Sequence, residues 1–525
     1  MNNNYNIVKK EEITLSEIFI GCFFLISLLF NIYGVSVRWN NMILDFHGFR
    51  QTQTAISVYY FVHEGFRFDY ITPVLGPPWS IPMEFPLYQW IVAFVVLMTK
   101  SAIDQAGRLV SVLFFYACLI PIYLLSREYI KKKSYSLIIL SMVLINPVYI
   151  FWTRTFMIES TALFLSLSYL YLFTKALEKE KWRYPVLAII VGSLAGLTKI
   201  TTFAVFLIAV FIIYCYMFNQ KVVNYSNKDI LLKYIITGAL LALVPVLISY
   251  AWVQFGDSLK VDHPYASFLT SSSLKTWNWG SWEQKVSLAT WEKIFNLSSF
   301  YQSFSLFCKV NSIILHLITF IILFLVSKRK TLVGSLLLIY ISAPLIFTNL
   351  YYVHYYYQYA NTVFFCFAIG FICISIIDSK NKIYSSVGTY LILPLILLFY
   401  IDGYSSFYYR AQTAPDHLYK PFKELTSFLK VNTKPDDIII FDGFDWDSRY
   451  AYYSERKALM TRTRGLNTGE FNNSLERIKS DNLNIGAVVF KKYPDINQQI
   501  KYAAALQKDW NTTRMYGPVM LFQNK

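Results

Sequence analysis

The residues able to do chemistry in this chain fall in a few polar stretches set between long apolar runs. The first reads Leu44-Asp45-Phe46-His47-Gly48-Phe49-Arg50-Gln51-Thr52-Gln53-Thr54-Ala55 and leads on to Met83-Glu84-Phe85-Pro86-Leu87-Tyr88. The second runs from Asn146-Pro147-Val148-Tyr149 to Arg154-Thr155-Phe156-Met157-Ile158-Glu159. Gly196-Leu197-Thr198-Lys199 and Tyr351-Tyr352-Val353-His354-Tyr355-Tyr356-Tyr357 complete the set. Three carboxylates (Asp45, Glu84, Glu159) thus accompany Arg50, Arg108, Arg154, Lys199 and His354. A carboxylate can serve as general base toward a hydroxyl. Cations and tyrosine hydroxyls can hold a phosphate and stabilise it as it leaves.

Plainer roles exist for several of these groups. Glu159 could cap a helix, Arg108 and Arg154 could anchor helix ends, and Tyr351–Tyr357 could be an aromatic belt at the membrane interface. Asp45 resists such a reading, because it opens a polar stretch (Arg50, Gln51, Gln53, Thr54) wedged between apolar segments, where polar groups are costly and functional by default. His63 and Glu64 read as solvated loop residues. Trp277, Trp279 and Trp282 with Glu283 and Lys285 read as an interfacial amphipathic piece. No Gly-rich phosphate loop, zinc motif or Ser/His/Asp signature is present in the sequence.

The elements that must position these residues are membrane helices. The chain has 525 residues, 55% hydrophobic and only 15% charged, with mean hydropathy +0.40; a soluble domain is about 25% charged. Its 41 Tyr and 12 Trp suit membrane–water interfaces. The net charge of +16 reads as topology signals in short loops and as a surface for anionic lipid and phosphate, not as a nucleic-acid interface. All six cysteines (Cys22, Cys118, Cys215, Cys308, Cys366, Cys373) lie in or beside apolar segments, without metal spacing or a disulfide framework. The first apolar stretch lacks a small-residue cleavage site and reads as a retained helix.

Eleven apolar runs approach spanning length: Ile18–Val35, Leu109–Leu125, Tyr135–Tyr149, Ile158–Phe173, Pro185–Leu197, Ala204–Phe218, Ile230–Trp252, Ile313–Val326, Leu332–Leu350, Thr362–Ile377 and Ile383–Tyr400. Pro86–Met98 is excluded as a re-entrant or interfacial helix. Charge decides this. With Lys9 and Lys10 cytoplasmic, eleven crossings put Lys131–Lys133, Lys179, Lys181, Arg183, Lys221, Lys228, Lys328–Lys330, Lys380 and Lys382 inside, as the positive-inside rule requires. A twelfth crossing at Pro86–Met98 reverses all of them. The loop Ser36–Arg108, the turns holding Asn146–Glu159, Leu197–Thr202 and Asn349–Asn361, the loop Asp257–Asn311 and the tail then lie outside.

The tail differs in kind. Asp437–Phe441 and Gly486–Phe490 read as buried strands, and Phe422–Leu429 reads as a flanking helix. The expected division is a multi-pass membrane domain over 1–401 and a small soluble extracytoplasmic α/β domain over 402–525.

Taken in order, these motifs resemble the polytopic GT-C glycosyltransferases that draw sugars from polyprenyl-phosphate donors, such as protein mannosyltransferases and lipid A aminoarabinose transferases. An acid early in the first outer loop resembles Asp45, and a Glu, a Pro and an aromatic resemble Glu84, Pro86 and Tyr88. Pro147, Tyr149, Arg154 and Glu159 resemble the second outer turn, Leu197-Thr198-Lys199 the next, and His354, Tyr356 and Tyr357 a late one. Tyr452-Tyr453-Ser454-Glu455-Arg456-Lys457 resembles a recurring tail motif. Two departures stand out: Phe46 follows Asp45 where many members carry a second acid, and Phe85 stands where many carry a lysine.

The resemblance implies an inverting membrane glycosyltransferase of a bacterial plasma membrane, with N-terminus cytoplasmic and catalysis on the outer face. Asp45 would be the base, with Glu84 and Glu159 orienting sugar or acceptor. Arg50, Arg108, Lys199, His354, Tyr356 and Tyr357 would hold the donor phosphate. The acceptor would be a lipid, glycan or protein. A divalent metal is compatible with these residues and required by none of them. Two other functions fit the composition: a lipid or glycan transporter or flippase, and a ligase or polymerase using a diphosphate-linked donor. Transporters place their sites near the midplane of repeated units, and no internal repeat is evident in this sequence.

Overall fold

The computed structural model describes residues 14–179, 181–224, 228–296, 312–462, 468–491, 512–516 and 519–523. Lys9, Lys10, Cys308 and the end of the Asp257–Asn311 loop lie outside them.

Among the described residues, seven helices are long and apolar enough to cross a membrane, and five shorter apolar helices accompany them. With Leu87–Thr99 set aside, the rest coincide with the eleven expected segments. The ten helices before residue 261 are α1 (Leu15–Ser36), α2 (Gly48–Glu64), α3 (Leu87–Thr99), α4 (Ile103–Tyr129), α5 (Lys133–Leu144), α6 (Pro147–Trp152), α7 (Glu159–Glu178), α8 (Arg183–Thr198), α9 (Ile200–Asn224) and α10 (Lys228–Lys260). A capping box, Thr14 with Glu17, starts α1, satisfying backbone N–H groups that a helix end leaves free. The last long helix, Lys382–Gln412, continues past Ile401 to the C-terminal unit.

The basic loops gather at one end. Arg329 Nη1 donates to the Tyr129 carbonyl at 2.7 Å, Lys328 Nζ to the Asp378 carbonyl at 3.4 Å, and Ser134 Oγ to Glu17 at 3.1 Å. Lys175 pairs with Glu128 at 2.6 Å nearby. The polar stretches gather elsewhere, around α2 and the C-terminal unit. Both ends of α3 belong to that second end: Phe85 N–H donates to Leu197 O at 3.0 Å, and Asp104, which opens α4, accepts from Tyr452 and Tyr453. Both ends of α3 therefore lie toward the same end of the molecule.

Three features depart from expectation. The Ser36–Arg108 segment contains the 17-residue helix α2, so His63 and Glu64 end a helix and are not loop residues; Glu64 also pairs with Lys457 at 3.1 Å. The consecutive polar residues Gln51, Thr52, Gln53 and Thr54 lower the hydropathy of α2, yet all four are buried. The Tyr135–Tyr149 run is broken at Asn146, whose Oδ1 caps α6 at Val148 N–H with Pro147 at the first helical position. Trp277, Trp279 and Trp282 are exposed on two short helices, while Lys285 turns inward to the Leu345 and Ile346 carbonyls.

The C-terminal unit is a five-stranded sheet in the order β2-β1-β3-β5-β4, with β1 Ile438–Asp442, β2 Lys457–Met460, β3 Ile485–Lys491, β4 Thr512–Tyr516 and β5 Val519–Gln523. The strand β1 lies parallel to β2 and β3; β5 lies antiparallel to β3 and β4. All five residues of β1 are buried, as the apolar run Ile438–Phe441 requires. Lys420–Asn432, Arg449–Ser454 and Gly469–Ser480 are helices of this unit. Residues 73–76 of the first loop extend this sheet beyond β2: Ala458 N–H donates to Pro73 O at 2.9 Å, Met460 N–H to Val74 O at 3.0 Å, and Gly76 N–H to Ala458 O at 3.0 Å. The unit is thus built onto the loop that carries Asp45 and Glu84.

Candidate active site

Asp45 lies just before α2, in a segment that Arg108 holds. The Arg108 side chain is 1% exposed, and its Nη1 and Nη2 donate to the carbonyls of Trp39, Asn41 and Met42. Its guanidinium is spent on backbone beside Asp45 and is not grouped with the other expected phosphate ligands. Both Asp45 oxygens are engaged: Oδ1 accepts from Gln51 Nε2 at 2.5 Å and Oδ2 from Arg154 Nη1 at 2.8 Å. Gln51 is itself fixed, its Oε1 accepting from Phe156 N–H at 3.0 Å. A cleft of about 130 Å³ borders Asp45 and Arg154, with Gln412, Tyr419 and Lys423 on its other wall.

The remaining residues form a second group. Arg50, in the first turn of α2, pairs with Glu84 at 3.0 Å, and Glu84 also accepts from Gln89 Nε2 at 2.9 Å. Lys199 is the one residue separating α8 from α9, with extended backbone (φ −160, ψ 97). That break directs its ammonium to Glu159, the first residue of α7, at 2.5 Å from each carboxylate oxygen. Nζ also lies 4.2 Å from the Tyr357 ring centroid and 5.2 Å from that of Tyr356, within cation–π range. The His354 ring stacks on Tyr356, centroids 5.3 Å apart.

Three of the cations are thus matched to carboxylates, Arg154 to Asp45, Arg50 to Glu84 and Lys199 to Glu159, while Arg108 is held by backbone carbonyls. Charges taken this far from water need such partners. Glu84 and Glu159 belong with the cations of the second group; Asp45, paired with Arg154, stands two residues before His47, whose ring lies 5.1 Å from that of Tyr356 in that group.

The sequence left Arg154 open between a site cation and a helix anchor, and assigned His47 no role. The backbone of His47 is left-handed (φ 54), a conformation rare outside glycine, and its ring lies 5.2 Å from that of His354. Buried His47 Nε2 and His354 Nδ1 lack hydrogen-bond partners. Burial lowers His47 to about 4; burial, then His47, Arg50 and Lys199, lowers His354 to about 3. His354 is therefore a neutral imidazole at pH 7. Among the described residues, no three His, Cys, Asp or Glu side chains gather as they would around a metal ion.

The same architecture occurs in solved structures. ArnT from Cupriavidus metallidurans, bound to undecaprenyl phosphate, superposes with a TM-score of 0.59 at 10% identity, covering 97% of this chain and 98% of its own. The chain has the GT-C fold. The archaeal oligosaccharyltransferase AglB from Archaeoglobus fulgidus, in complex with an inhibitory peptide and a dolichol-phosphate, shares this GT-C fold. Its TM-score is 0.52 at 12% identity, covering 97% of this chain and 74% of AglB. Residues 80–249 match the dolichyl-phosphate-mannose-protein mannosyltransferase family. That stretch of the GT-C chain holds Glu84, Arg108, Arg154, Glu159 and Lys199. No curated protein matches the chain in sequence.

Proposed function

We propose that this protein is a glycosyltransferase of the bacterial plasma membrane, moving a sugar from a polyprenyl-phosphate donor to an acceptor hydroxyl on the outer face. The observation that carries the reading is the juxtaposition of two groups at one end of a GT-C fold. One is a carboxylate, Asp45, facing an open cleft. The other is a cluster of Arg50, Lys199, His354, Tyr356 and Tyr357 interleaved with Glu84 and Glu159.

In this reading the donor phosphate meets Arg50, Lys199 and the tyrosine hydroxyls, and His354 offers a neutral ring N–H. Glu84 and Glu159 keep those cations in place before the donor arrives and then orient the sugar. The acceptor hydroxyl approaches Asp45 from the cleft between Asn41 and Lys423. Asp45 takes its proton as the acceptor oxygen bonds to the anomeric carbon. The bond from that carbon to the phosphate oxygen breaks, and polyprenyl phosphate leaves with the electron pair. Attack opposite the leaving group inverts the anomeric centre. Arg154 and Gln51 hold Asp45 in line; this preorganisation is the effect on which such catalysis depends. The C-terminal unit lies outside the membrane and closes the cleft.

The test is the lipid product. Purified protein, given a pool of polyprenyl-phosphate and polyprenyl-diphosphate sugars with membrane-lipid extract as acceptor, should release polyprenyl monophosphate. Release of the diphosphate would mark a ligase or polymerase. Movement of lipid across vesicles without turnover would mark a transporter.

A further inference from the structure

The motif Tyr452-Tyr453-Ser454-Glu455-Arg456-Lys457 touches neither group of the proposed site, yet it reaches back into the loop that bears Asp45. Tyr452 Oη donates to Asp104 Oδ1 at 2.6 Å, and Tyr453 Oη donates to Asp104 Oδ2 at 2.8 Å. The Tyr453 hydroxyl also accepts from Ile43 N–H at 2.8 Å. Ile43 is fully buried and stands two residues before Asp45.

The rest of the motif makes that contact rigid. Arg456 donates to the carbonyls of Lys430 and Thr433 at 2.8 and 2.7 Å, locking the motif to the helix Lys420–Asn432. Just upstream, Ser448 Oγ donates to Phe49 O at 2.6 Å, in the first turn of α2. Asp104 is carried by α4, one turn before Arg108, which holds the carbonyls of Asn41 and Met42. The segment ahead of Asp45 is thus gripped twice. Arg108 takes its carbonyls, and Tyr453 takes its Ile43 amide.

We propose that Tyr453 of the C-terminal unit is a positioning residue for Asp45, fixing the 41–45 segment by holding the Ile43 amide against Asp104. This rests on the reading of Asp45 as the general base. A reacting group displaced by about 1 Å loses roughly a hundredfold in rate, so one hydrogen bond at this place matters more than its own strength. It also explains a soluble unit built onto the first loop: the unit contributes a fixed point for the catalytic backbone.

Tyr452 supplies the control. Tyr452→Phe and Tyr453→Phe each remove one hydrogen bond to the same carboxylate, but only the second also removes the hydroxyl to which the Ile43 amide donates. The full-length protein in detergent would be compared in both forms by turnover, by donor KM and by amide hydrogen exchange of residues 41–45. Tyr453→Phe should lower kcat about tenfold or more, leave donor KM unchanged, and speed exchange at 41–45. Tyr452→Phe should do much less of each. Equal effects of the two variants, or a Tyr453→Phe change confined to KM, would overturn the proposal. If wild type transfers no sugar, the transferase reading falls with its catalytic consequence, and unchanged exchange in Tyr453→Phe would show separately that the loop is not held this way.

Discussion

Lys199 Nζ lies 2.5 Å from both carboxylate oxygens of Glu159, with the two side chains 9% and 3% exposed. A lysine at a one-residue break between two helices meets a carboxylate on the first turn of a third. Neither charge has water to fall back on, so each depends on the other.

That dependence sets the first prediction. Lys199→Met leaves Glu159 uncompensated and should destabilise the fold by about 3–5 kcal/mol, the usual cost of breaking a buried pair by removing one member. Lys199→Met with Glu159→Leu should recover most of the loss, since apolar replacement of a whole pair is often neutral, while remaining inactive. Thermal unfolding in detergent reads both. A double variant as unstable as the single would show that the pair is not the source of the loss.

The second prediction concerns pH. His354 and His47 fold with values near 3 and 4, below the ordinary histidine value of about 6.5. The unfolded chain binds more protons between those limits, so stability rises with pH across them. Their contribution is fully present above about pH 6.5 and is lost as pH falls through the folded values. His354→Gln should therefore lose stability less steeply than wild type from about pH 6.5 down to 4. Carboxylate titration is common to both proteins and cancels in the comparison. Parallel unfolding curves would show that His354 is not held neutral by the fold.

Arg108 provides a third. Its contacts are the Trp39, Asn41 and Met42 carbonyls, so Arg108→Lys, which cannot reproduce the guanidinium fork, should lower kcat with little change in donor KM. A raised donor KM at unchanged kcat would return Arg108 to the phosphate ligands.

Much of the scaffold was legible in the residues. Long apolar runs marked the helices of near-spanning length, and the basic residues at 131–133 and 328–330 set α3 apart from them by charge alone. What escaped was decided by tertiary contact. The polar side chains of α2 hid a buried helix, because Gln51 and Thr52 find their partners in Asp45 and Ser448, far from or outside any local periodicity. The break at Lys199 carries no glycine or proline to announce it. The strands β4 and β5 are short, and Thr512–Tyr516 is too polar to read as buried. The acids and bases of the site were nameable as a set, but their pairing was not: nothing in spacing alone joins Asp45 to Arg154 across 109 positions. The left-handed backbone that brings His47 to His354 is equally invisible in sequence.

The central claim is that Asp45 activates the acceptor, and it is tested most directly by Asp45→Asn. The variant keeps the shape of the side chain and a carbonyl oxygen for Arg154 or Gln51, but removes the base. Acceptor-dependent release of polyprenyl phosphate from a radiolabelled polyprenyl-phosphate sugar would be compared with wild type, alongside thermal unfolding and donor binding. The expected result is turnover reduced by about 10² or more, with the fold and donor binding retained. Wild-type turnover in Asp45→Asn would contradict the assignment and move the search for the base to Glu84 and Glu159.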